Sequence, residues 1–191
     1  MIKKITIATM FTIARIVLTP VIVWAMIVHY WGVACILFVC AALTDMVDGL
    51  IARHFNQKTL LGACLDPIAD KFLMISCFCT LAFIDTSLFS IPRWFLIFVI
   101  SKECMQVMGA CWLYRYQGYH SIESTLLGKV TTVIQMVFVT WLLVCYVFHV
   151  MPEYSHSALF IALVVCMGMS FVHYAYIGMQ VLKKNRGVSY D

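Results

Sequence analysis

Read for apolar and polar positions, the chain contains six long apolar stretches separated by short polar connections. The stretches run near residues 10–29, 32–54, 66–84, 91–115, 126–150 and 157–182. An α-helix needs about 20 apolar residues to cross a bilayer, so the pattern predicts an all-α integral membrane protein with six transmembrane helices. Residues 2–12 read as a short N-terminal interfacial helix leading into the first span. The start, Met1-Ile-Lys-Lys, resembles a signal peptide, but the apolar run after it continues too far and lacks a small-residue cleavage pattern. Residues 53–65, rich in Asn, Gln, Lys, Thr and Gly, read as a short turn that makes the second and third segments antiparallel neighbours. No linker, low-complexity tract or repeat divides the segments, so residues 1–191 are expected to form a single domain.

Composition agrees with the pattern. Hydrophobic residues are 63% of the 191 and charged residues 12%, about half the charged share of a soluble domain. A soluble enzyme, a disordered chain and a nucleic-acid-binding module are thereby excluded. The formal net charge of +4 suits topology signals and anionic lipid better than DNA. Lys3 and Lys4, Arg53 and Lys58, Arg115 and Lys129, and the tail Lys183, Lys184 and Arg186 fall on one side. Arg93, Asp85 and Glu153 fall on the other. The positive-inside rule places both termini and the second and fourth loops in the cytoplasm. Tyr30, Trp31, Trp94, Tyr114 and Tyr116 lie at segment ends, as an interfacial aromatic belt would. The nine cysteines lie almost wholly in apolar runs without metal-ligand spacing, and are expected to be small core side chains. The six histidines form no ligand-spaced set. Gly168 and Gly178 would allow close helix packing, including a homodimer contact.

Against this background four acids stand out. Asp45, Asp48, Asp66 and Asp70 fall within 26 positions, although the chain has only nine acidic residues. A carboxylate at membrane depth costs at least about 2.5–3.5 kcal/mol, and Arg53 and Lys71 are too few to neutralise four. Spacings of three and four put each pair on one helical face. A hairpin of the two segments can bring the pairs together as a hard-oxygen site for Mg²⁺ or Mn²⁺, with two ions clamping a pyrophosphate. A cation path through a transporter would also use intramembrane acids. Gly49, Ala52 and Gly62 at fixed offsets would let phosphates approach a helix backbone, and Arg53 can meet phosphate oxygens bidentately. Those neighbours favour phosphate chemistry, with cation-coupled transport the alternative from another class.

The run Asp45-Met-Val-Asp48-Gly49-Leu-Ile-Ala52-Arg53, followed by Gly62-Ala-Cys-Leu-Asp66-Pro-Ile-Ala-Asp70, resembles the complete eight-position motif of the CDP-alcohol phosphatidyltransferase family. Leu65-Asp-Pro-Ile-Ala-Asp-Lys71 is similar to the branch that makes phosphatidylglycerophosphate and cardiolipin. The resemblance implies a six-span enzyme that transfers the phosphatidyl group of CDP-diacylglycerol to an alcohol and releases CMP. It implies that Asp45, Asp48 and Asp66 hold metal ions, with Asp70 at the edge of the site and acting as general base. Gly49 and Ala52 would accommodate the cytidine nucleotide, and Arg53 its phosphates, beside Asp45 and Gly62.

Three further places resemble the family less completely. Thr12 and Arg15 match a pattern of contacts to the pyrophosphate, but Thr9 stands where an asparagine is usual. Lys102-Glu103 stands where relatives carry arginine and an acid, and reads either as a buried ion pair or as a substrate contact. Gly128-Lys129-Val-Thr131-Thr132-Val-Ile-Gln135 matches a stretch whose second lysine is Thr131 here, and Ala110 replaces a further arginine. These losses weaken the case for dianionic glycerol 3-phosphate and favour phosphatidylglycerol. Lys129, Lys102 and Arg115 could still form an anion pocket, and the commonest member of the branch uses glycerol 3-phosphate. That acceptor is therefore the expectation, with phosphatidylglycerol the alternative.

Overall fold

The computed structural model describes residues 7–54, 60–84, 91–117, 126–150 and 152–187. They form six α-helices: α1 (Ile7–Ile27), α2 (Trp31–His54), α3 (Leu60–Phe83), α4 (Arg93–Gln117), α5 (Leu126–Phe148) and α6 (Glu153–Gly187). No strand occurs among the described residues.

Six helices stand where six spans were expected, with three differences. Residues 7–12 are the first turns of α1 rather than a separate interfacial helix, and residues 2–6 lie outside the described residues. The third helix starts at Leu60, so Gly62 is helical rather than part of the turn read over 53–65. The last helix has 35 residues, about 52 Å at 1.5 Å per residue. By length and composition, two stretches are able to cross a membrane, Leu127–Phe148 and Glu153–Tyr176, while Thr12–Ile27 and Trp31–Thr44 are shorter apolar runs. Acids and lysines interrupt α3 and α4.

The chain divides into two compact units. The first comprises Met1–Leu96 and Met136–Pro152, the second Ile97–Gln135 and Glu153–Asp191. In the first unit α1 packs against both α2 and α3. Its buried positions, Thr12, Arg15, Thr19, Ile22 and Met26, recur every three or four residues and so form one stripe. Trp31, Ala34, Phe38 and Ala41 do the same on α2, and Ala69, Leu73, Cys77 and Leu81 on α3. Aromatic rings close this core. Phe78 meets Phe95 edge-on at 5.6 Å and Phe138 face-on at 6.3 Å, and Trp31 stacks on Tyr146 at 4.3 Å.

Two helix ends in this unit share one device. After α1, the His29 amide donates to the Met26 carbonyl at 3.1 Å and the Tyr30 amide to Ala25 at 2.8 Å. These are the paired bonds of a Schellman ending. His29 takes the left-handed conformation (φ 60°) usually given to glycine. His149 (φ 51°) does so after α5, where the Val150 amide donates to the Cys145 carbonyl at 3.1 Å.

In the second unit, Phe98 of α4 lies 6.2 Å from Phe171 of α6. A side chain added at Gly109 would touch Tyr174, whereas one at Gly168 or Gly178 would meet nothing within 4 Å. Among the described residues the two α6 glycines therefore serve no close helix approach.

The outward surface is apolar and part of the interior is polar. Ile13, Val17, Val21 and Trp24 are exposed on α1, as are Ile161, Val165, Met169 and Val172 on α6. Arg15, Lys102, Glu103, Gln135 and Ser170 are buried. The cysteines are mixed: Cys77 and Cys145 are core residues, whereas Cys40 and Cys104 are exposed on helix flanks.

Candidate functional site

The acidic motif is divided between α2 and α3. Along α2 the buried series 31, 34, 38, 41 steps by three and four, and positions 45, 48 and 52 continue that register on unbroken helix. On α3, positions 62, 66 and 70 are successive turns leading into buried Leu73 and Cys77. Positions 45, 48, 52, 62, 66 and 70 thus continue the buried stripes of α2 and α3, and both helices pack against α1. The side chains of Asp45, Asp48, Gly49, Ala52, Arg53, Gly62 and Asp66 lie outside the described residues. Asp70 is described: it is half-buried, next to buried Ala69, and its Oδ1 is closed to solvent.

The stripe of α1 carries the other described polar groups of this unit. Thr12 is fully buried and Arg15 is 2% exposed. Arg15 is therefore not a snorkelling residue on the outer face. A guanidinium at that depth is stable only against anions or carbonyls. Thr19, one turn on, donates its hydroxyl to the Arg15 carbonyl at 2.8 Å, while Pro20 deprives the Ile16 carbonyl of its usual amide donor.

The second unit has a polar cluster of its own. Lys102 Nζ donates to Glu103 Oε1 at 2.8 Å, with the two side chains 1% and 3% exposed. It also donates to Gln135 Oε1 at 3.1 Å, joining α4 to α5. Thr131 donates to the Leu127 carbonyl at 2.7 Å and lies 3.4 Å from the Cys166 carbonyl of α6. Of the three cations expected around an acceptor, Lys102 is buried in an ion pair, Lys129 is exposed, and the Arg115 side chain lies outside the described residues. Gln135 was named from sequence only as the end of the family-like stretch 128–135, not as a site residue, and Ser170 was not picked out; its one signal is a polar group inside an apolar run.

Among the described residues no three His, Cys, Asp or Glu side chains gather as a metal site. The donor chemistry of the motif nevertheless fits a hard divalent ion. Four carboxylate positions on two helices offer oxygen ligands only, as Mg²⁺ and Mn²⁺ prefer.

Comparison with known proteins bears on the same residues. The chain is 30% identical over 203 residues to the cardiolipin synthase (CMP-forming) of Homo sapiens, covering 93% of this chain and 64% of that protein. It thus spans slightly under two thirds of that relative's length. It is 32% identical over 180 residues to the CDP-diacylglycerol–glycerol-3-phosphate 3-phosphatidyltransferase of Escherichia coli (strain K12), covering 90% of this chain and 93% of that one. The protein of the same description from Salmonella choleraesuis (strain SC-B67) is 30% identical over 177 residues, with the same coverage. The family model for CDP-alcohol phosphatidyltransferase matches residues 5–177, a range that takes in all eight motif positions, and the chain belongs to that family.

Proposed function

We propose that this protein is an integral membrane phosphatidyltransferase that moves the phosphatidyl group of CDP-diacylglycerol to a hydroxyl of a glycerol-bearing acceptor and releases CMP. One observation carries the reading. Six of the eight motif positions continue the buried stripes of two helices that both pack on α1, which itself carries buried Thr12 and Arg15. The apolar outer surface supports a bilayer setting, in which the acyl chains of the donor approach laterally between helices. Charge asymmetry in the loops supports a cytoplasmic site and cytoplasmic termini. The open surface at Gly168 and Gly178 suits lipid or a second copy of the chain equally.

In this reading Asp45, Asp48 and Asp66 hold two Mg²⁺ or Mn²⁺ ions, with Asp70 at the edge. Bound there, such ions neutralise the pyrophosphate and the departing nucleotide. Gly49, Ala52 and Gly62 leave room for the nucleotide, while Arg53, Arg15 and Thr12 contact its phosphates. Asp70 takes the proton of the acceptor hydroxyl. The freed oxygen bonds to the phosphatidyl phosphorus, and the bond to CMP breaks with its electron pair leaving on CMP. Catalysis rests on positioning and charge neutralisation.

Glycerol 3-phosphate, acceptor of the bacterial relatives by name, is the acceptor the sequence favours. The Lys102–Glu103 ion pair favours the second, phosphatidylglycerol, because it withdraws one of the cations a dianionic acceptor would need. The decisive experiment incubates purified protein with CDP-diacylglycerol, Mn²⁺ and either acceptor. CMP release is the expected result. Its absence, together with cation flux into vesicles holding the protein, would replace the enzyme by the transporter.

A further inference from the structure

We infer that Thr19 is a positioning residue for the donor substrate: its hydroxyl holds the turn that carries Arg15, immediately ahead of a proline break in α1. The inference rests on the phosphatidyltransferase reading and adds to it a residue that acts through Arg15.

The inward stripe of α1 changes character at this point. Thr12, Arg15 and Thr19 make its first half polar, and Ile22, Ala25 and Met26 make its second half apolar, each at most 2% exposed. Close apolar packing fixes the second half, whereas the first depends on directed polar bonds. Between them stands exposed Pro20, which has no amide for the Ile16 carbonyl and whose ring crowds that oxygen. Helices bend most readily at such a break. Arg15 is five residues ahead of it, about 7.5 Å along the axis. A change of about 10° in the bend would shift the Arg15 backbone by about 1 Å, enough to spoil a phosphate contact.

Thr19 counters this weakness. Its hydroxyl donates to the Arg15 carbonyl at 2.8 Å, an oxygen that the Thr19 amide also meets in a regular helix. The Arg15 carbonyl is thus held twice in the last complete turn before the break. Among the described residues seven helical Ser and Thr hydroxyls donate to the carbonyl four residues back, and only this bond has both of its residues buried. Such a bond contributes little to helix stability, and valine would fill the same space. What threonine adds is a fixed direction for the turn. Because α1 packs on both α2 and α3, that direction sets where Arg15 stands relative to the two helices that carry the acidic motif.

The test measures CMP release as CDP-diacylglycerol is varied, with glycerol 3-phosphate or phosphatidylglycerol as acceptor, and the Tm, all in detergent micelles. Thr19→Val removes the hydroxyl and keeps the shape. It should raise the KM for CDP-diacylglycerol about three- to tenfold, the worth of one hydrogen bond, with kcat, the KM for the acceptor and the Tm nearly unmoved. Thr19→Ser, which keeps the hydroxyl, should restore the parent KM. In an Arg15→Gln background Thr19→Val should add less than about twofold, since a residue that works through Arg15 then has nothing to position. An unmoved KM in folded Thr19→Val, a serine variant no better than the valine one, or an equal loss in both backgrounds overturns the inference and leaves the transferase reading standing. If the valine variant does not fold, Thr19→Ala is held to the same outcomes. No CMP from the parent protein overturns the transferase reading and the inference together.

Discussion

Lys102 and Glu103 are neighbours in α4, yet both are buried and their charged atoms meet at 2.8 Å. Breaking such a pair leaves one charge stranded and costs about 3–5 kcal/mol, whereas replacing both by apolar residues is often neutral. Lys102→Met alone should therefore lower the unfolding midpoint sharply, and the double variant with Glu103→Leu should recover most of the loss. Thermal unfolding in detergent measures both. Asp70 plays a different part. Asp70→Asn keeps the size and removes the proton acceptor, so CMP release should fall by about 10²–10⁴ while the Tm is held; full activity would remove Asp70 from the role of base. Chelation with EDTA should stop CMP formation in the parent protein, and added Mn²⁺ or Mg²⁺ should restore it. At this scale the sequence was half legible. Two charges inside an apolar run announced a buried pair, but their third partner, Gln135, lies 33 residues away, a separation no local pattern reports. Ser170 was invisible for a related reason: a lone serine in an apolar run does not show that its hydroxyl is buried and unmet.

The elements were more legible than their ends. Hydropathy located all six helices, because each coincides with a long apolar run. It misplaced the start of α3, since Gly62 and the polar residues before Leu60 made residues 60–65 read as part of the turn although they are helical. The consequence is functional: the motif's second half is carried on helix, where four-residue spacing means one face. The histidine endings of α1 and α5 had no sequence signal, as glycine is the usual residue there. A left-handed non-glycine residue costs about 1–2 kcal/mol. His149→Gly should therefore gain about 1 kcal/mol, seen as a Tm higher by about 2–4 °C. His29→Gly should gain less, because the His29 ring also packs edge-on against Trp31 at 5.5 Å, a contact of similar size. Equal gains at both positions would show that the ring contact contributes nothing.

Across the molecule the distribution of polarity is inverted relative to a water-soluble protein. Apolar side chains cover the outside of α1 and α6 while charged and amide groups are buried, the arrangement expected where the solvent is hydrocarbon. The chain should thus remain with the membrane fraction through alkaline carbonate washing, and recovery in the supernatant would contradict the bilayer setting. The longest element predicts an orientation. α6 at about 52 Å exceeds a hydrocarbon core of about 30 Å by roughly 20 Å, so one end must project. The apolar stretch Glu153–Tyr176 begins at the first turn of the helix, which leaves the surplus at the other end, where Lys183, Lys184 and Arg186 are found. Three cations beyond a span strongly favour the cytoplasmic side. Exposed Tyr154 beside Glu153 suits the opposite interface. A green fluorescent protein fused after Asp191 in bacterial cells should fluoresce, and alkaline phosphatase fused there should be inactive. Fused in the 149–152 connection, phosphatase should be active. The reverse pattern would contradict the cytoplasmic placement of the tail and the charge argument behind it.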